Sequence, residues 1–235
     1  MADTFTFTID GVEVSANKDQ TILAAAGAAG IYIPRLCNMD GLEPFGACRV
    51  CTVFVNGRPQ SACTQPAQAG IVVENETDEL LDMRKQIIEM LFVEGNHFCM
   101  FCEKSGNCEL QALAYRFGIA APRFPFMFPV RDVDATHPEV FVDRNRCILC
   151  ARCVRASRDQ DGKNVFQFTG RGLAKKISVN ATARLADTDL EGADKAVEAC
   201  PVGSILKKGQ GYKVPIGERL YDHKPIGSEI ESMKE

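Results

Sequence analysis

Cysteine placement constrains this chain more than any other feature. Its eleven cysteines fall at 37, 48, 51 and 63, at 99, 102 and 108, and at 147, 150, 153 and 200. An odd number cannot pair completely as disulfides. The N-terminus, MADTFTFTIDG, has neither the basic nor the apolar segment of a secretory signal. The expected setting is therefore cytoplasmic, where thiols stay reduced and clustered cysteines usually mean metal. Only the middle group lacks a fourth donor, and His97 lies two residues before Cys99. Eleven cysteines and one histidine make three sets of four. His137 and His223 are remote in sequence from every group.

The remaining composition narrows the class. Among 235 residues, 46% are hydrophobic and 25% charged, a globular profile. A net charge of -4 argues against a scaffold held to nucleic acid by phosphate contacts. No apolar run approaches the ~20 residues of a membrane span.

Residues 1–76 read as β-rich. Phe5, Phe7 and Ile9 alternate with threonines, Asp10-Gly11 supplies a turn, and Val12 and Val14 resume the alternation. Residues 19–29 form an alanine-rich helix that Gly30 can end. Val53-Phe54-Val55 before Asn56-Gly57 marks a second hairpin, and 70–76 a last strand. Leu80, Ile87 and Leu91, widened by Met83, Ile88 and Phe92, predict a helix over 79–95. A shorter helix follows over 109–117. Three prolines exclude regular structure from 121–129, whose three phenylalanines are expected to clamp neighbouring domains. Short strands near 165–168 and 177–179 precede a helix near 191–199. The polar last twenty residues fit either a docking tail or disorder.

Each cysteine set suggests its own chemistry. Cys37-x10-Cys48-x2-Cys51-x11-Cys63 matches a loop that gathers thiolates around two irons. Gly46 and Ala47 are expected to keep that loop's backbone near the centre. Tetrahedral zinc also takes four thiolates, but zinc ribbons usually carry two Cys-x2-Cys knuckles, and here there is one. His97-x-Cys99-x2-Cys102-x5-Cys108 offers one imidazole and three thiolates. Cys147-x2-Cys150-x2-Cys153 opens like a bacterial ferredoxin run, and Cys200-Pro201 supplies its distant end. Ser157 stands where such a run would place a ligand to a second cluster. Around this set, Arg144, Arg146, Arg152, Arg155, Arg158, Lys163, Arg171, Lys175 and Lys176 face only Asp159 and Asp161. They are expected to compensate an anionic cluster rather than to form a binding patch. No Gly-rich dinucleotide fingerprint and no nucleophile–base constellation accompany them.

GACRVC, CEKSGNCELQ, CILCARCVR and ACPVGSI together resemble the N-terminal iron–sulfur region of the large NADH dehydrogenase subunit. The corresponding region of iron-only hydrogenases is similar. A chain of this extent most resembles the small diaphorase subunits of NAD-reducing nickel–iron hydrogenases. One departure is the histidine: the family usually leaves three residues before the next cysteine, which would place it at Gly95 rather than His97.

The resemblance implies an α+β fold. Residues 1–78 would be a plant-ferredoxin-like β-grasp domain with a 2Fe-2S cluster on Cys37, Cys48, Cys51 and Cys63. A helical module over 79–121 would hold a 4Fe-4S cluster on His97, Cys99, Cys102 and Cys108. After a linker (122–142), a ferredoxin-like module over 143–206 would hold a second 4Fe-4S cluster on Cys147, Cys150, Cys153 and Cys200, before a tail over 207–235. A partner diaphorase subunit would carry FMN and NAD, and nickel–iron hydrogenase subunits would complete a hetero-oligomer. This chain would relay single electrons between them and have no catalytic residue of its own. Equivalent subunits of NADH dehydrogenase, formate dehydrogenase or iron-only hydrogenase assemblies are the alternative. A zinc or iron–sulfur regulatory scaffold without redox turnover is the rival from another class.

Overall fold

The computed structural model describes residues 4–181 and 184–234. β1 (Thr4–Ile9) and β2 (Val12–Asn17) form a hairpin whose turn residues, Asp10 and Gly11, take φ values of 48° and 78°. Both central residues with positive φ make the turn whose twist matches paired strands. The same device at Asn56 and Gly57 joins β3 (Thr52–Val55) to β4 (Arg58–Ser61). β5 (Val72–Glu74) lies between the hairpins, parallel to β1 and antiparallel to β3, giving a sheet ordered β2-β1-β5-β3-β4.

α1 (Ile22–Ala28) is shorter than the expected 19–29 because Thr21 caps it, accepting from the Ala24 amide at 3.2 Å. Its buried Ile22, Leu23, Ala25 and Ala26 pack with Phe7, Ile9, Val53 and Val73 from the sheet. Cys51 and Cys63 belong to this core.

α2 (Asp78–Val93) begins after the Thr77 cap. Its most buried line runs through Leu80, Arg84, Ile88 and Val93, rotated from the expected stripe, whose Ile87 and Leu91 are only half-buried. The reason is Arg84, which is 2% exposed. Its guanidinium donates to the Asn75 carbonyl at 2.9 Å, the Asn75 side chain at 2.8 Å and the Thr52 carbonyl at 2.8 Å. Three bonds from its two terminal nitrogens hold the charge in the core and bind α2 to the sheet, while its Nε is buried without a partner.

α3 (Glu109–Arg116) follows Cys108. Beyond it, part of the stretch read as a linker is structured. β6 (Val133–Asp134) and β7 (Val140–Asp143) join the distant β10 (Ile205–Lys207) in a second sheet. These strands escape sequence reading because each is short and its partner lies far along the chain. α4 (Arg152–Asp159) packs beside the hairpin of β8 (Phe166–Thr169) and β9 (Lys176–Val179). The helix expected over 191–199 reduces to α5 (Lys195–Glu198), whose first amides are received by Asp161 at 2.9 Å.

The polar C-terminal stretch is neither free nor irregular throughout. α6 (Leu220–His223) and α7 (Ser228–Glu231) fold back on the body. Arg116 pairs with Glu231, and a side chain at Gly227 would strike the Tyr32 ring at 2.5 Å. Among the described residues, no helix is long and apolar enough to cross a membrane.

Candidate metal centres

The first set sits at the rim of the five-stranded sheet, where Cys51 leads into β3 and Cys63 follows β4. Cys37 and Cys63 are completely buried and Cys51 nearly so. The Cys37 amide donates to Cys48 Sγ at 3.4 Å. The thiols also bond to one another: Cys48 and then Cys63 hold the Cys37 thiol far below its ordinary value. In return, Cys37 drives both Cys48 and Cys63 upward, and Cys63 brings Cys51 down to about 7. Four sulfurs so placed cannot all ionise without a cation among them. Gly46 is required for another reason than the one expected. Its φ is 68°, and a side chain there would meet Thr64 at 3.1 Å.

Strand pairing brings the two ends of the third set near each other. β7 and β10 pair Val142 with Ile205. Cys147 follows β7 after a 3-10 turn over Arg144–Arg146, and Cys200 precedes β10. Leu149 and Ala151 take left-handed φ values of 55° and 61°, curling the loop so that Cys150 and Cys153 turn toward the same point. Cys147, Cys150, Cys153 and Cys200 line one narrow cavity with Ser204 and Ile205. Burial pushes the Cys147 thiol up to about 11 and Cys150 to about 12, and raises Cys153 well above its ordinary value. Nearby backbone N–H groups at Leu149, Arg152 and Val154 act in the opposite direction on Cys147, Cys150 and Cys153 respectively. Buried thiols facing one another under amide N–H groups are the donor set an iron–sulfur cluster uses.

In the middle set, Cys99 lies in a 3-10 turn and Cys108 caps α3. Burial raises Cys108 to about 12, with the charges of Cys102 and Cys99 adding to it. Burial likewise raises Cys99, with Cys102 next. His97 is half-buried, and desolvation of its ring pushes its imidazole down to about 4. Its Nε2 has no hydrogen-bond partner. The ring lies over Gly95: a side chain at 95 would meet Nε2 at 2.6 Å and the Asn145 carbonyl at 2.8 Å. The imidazole thus fills the space that a side chain two positions earlier would enter. His137 differs, since Nε2 bonds the Leu190 carbonyl at 2.8 Å and Nδ1 accepts from Glu139 and Val140 amides. His223 is exposed on α6.

Sequence reasoning missed the arginines that join the sets. Arg152, 4% exposed, donates to both Glu109 oxygens at 2.6 and 2.7 Å and to the Asn38 carbonyl at 2.9 Å. Arg155 donates to the carbonyls of Cys37 and Glu43. Together they lock the third set against the loop of the first. Other basic residues of 144–176 pair internally, Arg144 and Lys176 with Asp132 and Lys163 with Asp194. Two of the three phenylalanines expected to clamp domains do not do so. Phe126 and Phe128 stack on each other at 5.6 Å and are exposed, while backbone bonds, such as Met127 to Val93 at 3.0 Å, hold the segment.

Family models match in the same three regions. Residues 2–78 match a 2Fe-2S iron-sulfur cluster binding domain. Residues 84–123 match the NADH-ubiquinone oxidoreductase-G iron-sulfur binding region, and 140–206 a 4Fe-4S single cluster domain. The chain is 44% identical to the gamma subunit of the NAD-reducing hydrogenase HoxS of Cupriavidus necator, over 92% of each. It is 36% identical to the alpha subunit of the NADPH-Fe(3+) oxidoreductase of Geobacter sulfurreducens, covering 86% of this chain and 24% of that protein. It is 33% identical to the mitochondrial NADH-ubiquinone oxidoreductase 78 kDa subunit of Candida albicans, covering 88% and 29%. A solved chain of an NAD+-reducing [NiFe]-hydrogenase in the H2-reduced state superimposes with a TM-score of 0.92 at 46% identity, over 94% of both chains.

Proposed function

The chain belongs to the iron–sulfur subunit family of NAD-reducing hydrogenases, related to the 78 kDa subunit of NADH-ubiquinone oxidoreductase, and on that premise we propose how its donors serve electron transfer. It is an iron–sulfur electron-transfer subunit of an oxidoreductase complex. Clusters bound at its sets would supply one-electron carriers.

The first set, in a plant-ferredoxin-like β-grasp domain over 1–78, would hold a 2Fe-2S cluster. His97, Cys99, Cys102 and Cys108 would hold one 4Fe-4S cluster in the 79–121 module. Cys147, Cys150, Cys153 and Cys200 would hold another in the 143–206 module. The observation that carries this reading is the convergence of the third set's four thiols on one cavity, combined with a buried, unpartnered Nε2 on His97 in the set that lacks a cysteine. The protein's own residues then have three tasks: amides stabilise anionic sulfur, apolar packing excludes water, and buried arginines fix the sets against one another. Arg155 joins the third set to the first, and the Arg146 contact to Cys102 joins it to the middle one. The third set would thus be the centre of the row, although it comes last in sequence.

One end of the row would receive or deliver electrons at a flavin- and NAD-binding diaphorase partner, the other at nickel–iron hydrogenase subunits, in a cytoplasmic hetero-oligomer. The exposed Phe98, Met100 and Phe101 beside Cys99 are the kind of apolar surface a neighbouring protein covers. The higher identity to the hydrogenase relative than to the 78 kDa relative favours this assembly over the NADH dehydrogenase alternative. Anaerobic co-purification with identification of every attached protein tests it. NADH should reduce the chain's clusters only when a flavin-bearing partner is added; reduction of the pure, flavin-free chain would contradict the division of labour.

A further inference from the structure

Arg146 immediately precedes Cys147, yet its side chain turns away from that set. Its Nη1 lies 3.6 Å from Cys102 Sγ and donates to the Gly203 carbonyl at 3.4 Å, while Nε pairs with Asp143 at 3.1 Å. The group is largely enclosed, with Arg146 20% and Asp143 13% exposed in their side chains. On its other side, the Cys102 sulfur is pressed against Gly203. A side chain at 203 would stand 2.5 Å from that sulfur and 3.4 Å from Arg146 Nη1. Cys102 is thus wedged between a guanidinium from one flank of the third set and a bare glycine from the other. The same charge also reaches Cys99 and His97.

We propose that Arg146 is a positioning residue for the middle centre, its N–H on Cys102 Sγ setting that centre's reduction potential. The inference rests on the assignment of Cys99, Cys102 and Cys108 to a 4Fe-4S cluster. A cation-borne N–H to a ligand sulfur favours the more negative, reduced state and so raises the potential. Asp143 opposes it, because its carboxylate shares the same guanidinium. The two residues therefore act on the centre with opposite sign, which a role confined to packing does not produce.

The test is a potentiometric titration, followed by paramagnetic resonance, of the full chain purified anaerobically. Its iron content is checked for each variant. In Arg146→Gln, the middle centre's reduction constant should fall about tenfold, ~59 mV for a one-electron couple. The first set should not move. Arg146→Lys, which keeps the charge without the fork, should shift less. Asp143→Asn should shift the middle centre upward. If Arg146→Gln loses the middle iron, Asp143→Asn carries the sign test alone. An unmoved or lowered potential in Asp143→Asn, or a shift confined to the third set, overturns the proposal. A wild-type chain without a middle 4Fe-4S signal would overturn the cluster assignment itself, and the tuning role with it.

Discussion

The guanidinium of Arg152 grips the Glu109 carboxylate with two bonds, at 2.6 and 2.7 Å, and this pair ties together all three cysteine sets. Arg152 lies between Cys150 and Cys153, Glu109 follows Cys108, and the remaining bond reaches the carbonyl of Asn38, next to Cys37. One buried side chain thus meets the flank of each set.

Breaking this pair should be costly. Glu109→Ala leaves a guanidinium in the interior without its counter-charge, a loss of about 3–5 kcal/mol. Glu109→Gln, which keeps one acceptor, should lose less. Thermal unfolding of the two variants beside the wild type checks the order, and equal stability of all three would show that Arg152 finds another partner.

The C-terminal stretch should govern how firmly the middle set is held. Arg219 is 3% exposed and donates to the Glu103 carbonyl at 3.0 Å, to the Val214 carbonyl at 2.9 Å and to that of Ser105. These acceptors include two in the loop between Cys102 and Cys108. Arg219→Ala should let a chelator strip the middle centre several-fold faster while the first centre persists. Equal rates at both centres would mean the loop holds itself.

Cys200 and Ser157 should behave oppositely. Cys200→Ala should abolish the third 4Fe-4S signal or convert it to a three-iron form. Ser157 is fully buried, and its hydroxyl accepts from the Val165 amide at 2.8 Å. Ser157→Ala should keep the iron yet lose about 1–3 kcal/mol by orphaning that amide. Iron analysis with a denaturation curve separates the two.

His97 should be required at the middle centre alone. His97→Ala should remove strong imidazole nitrogen coupling from one reduced 4Fe-4S signal in pulsed resonance, and His137→Ala should not. Gly95→Ala should mimic the loss in part, because its methyl enters the space of the ring, 2.6 Å from Nε2. Coupling that persists without His97 would identify another ligand.

What was legible in the sequence was local. The two hairpin turns, the helices after Thr21 and Thr77 and the Cys-x2-Cys pairs within each donor set show in short windows, because turn chemistry and close cysteine spacing act over a few residues. The β7–β10 pairing did not show: it spans the whole third module, and neither strand exceeds four residues. The interior arginines were illegible for a related reason. Nothing in the sequence marks Arg84 and Arg219 as buried, or Arg152 as a link between sets, because their partners are carbonyls and a carboxylate from distant loops. Phe126 and Phe128 of the 121–129 stretch erred in the opposite direction, apolar in sequence but exposed in the fold.

The most direct measurement is iron and acid-labile sulfide per chain after anaerobic purification, together with zinc. Twelve donors holding one 2Fe-2S and two 4Fe-4S clusters predict about ten iron and about ten sulfide, with no stoichiometric zinc. A count near six iron, or zinc at one or more per chain, would contradict the three-cluster account.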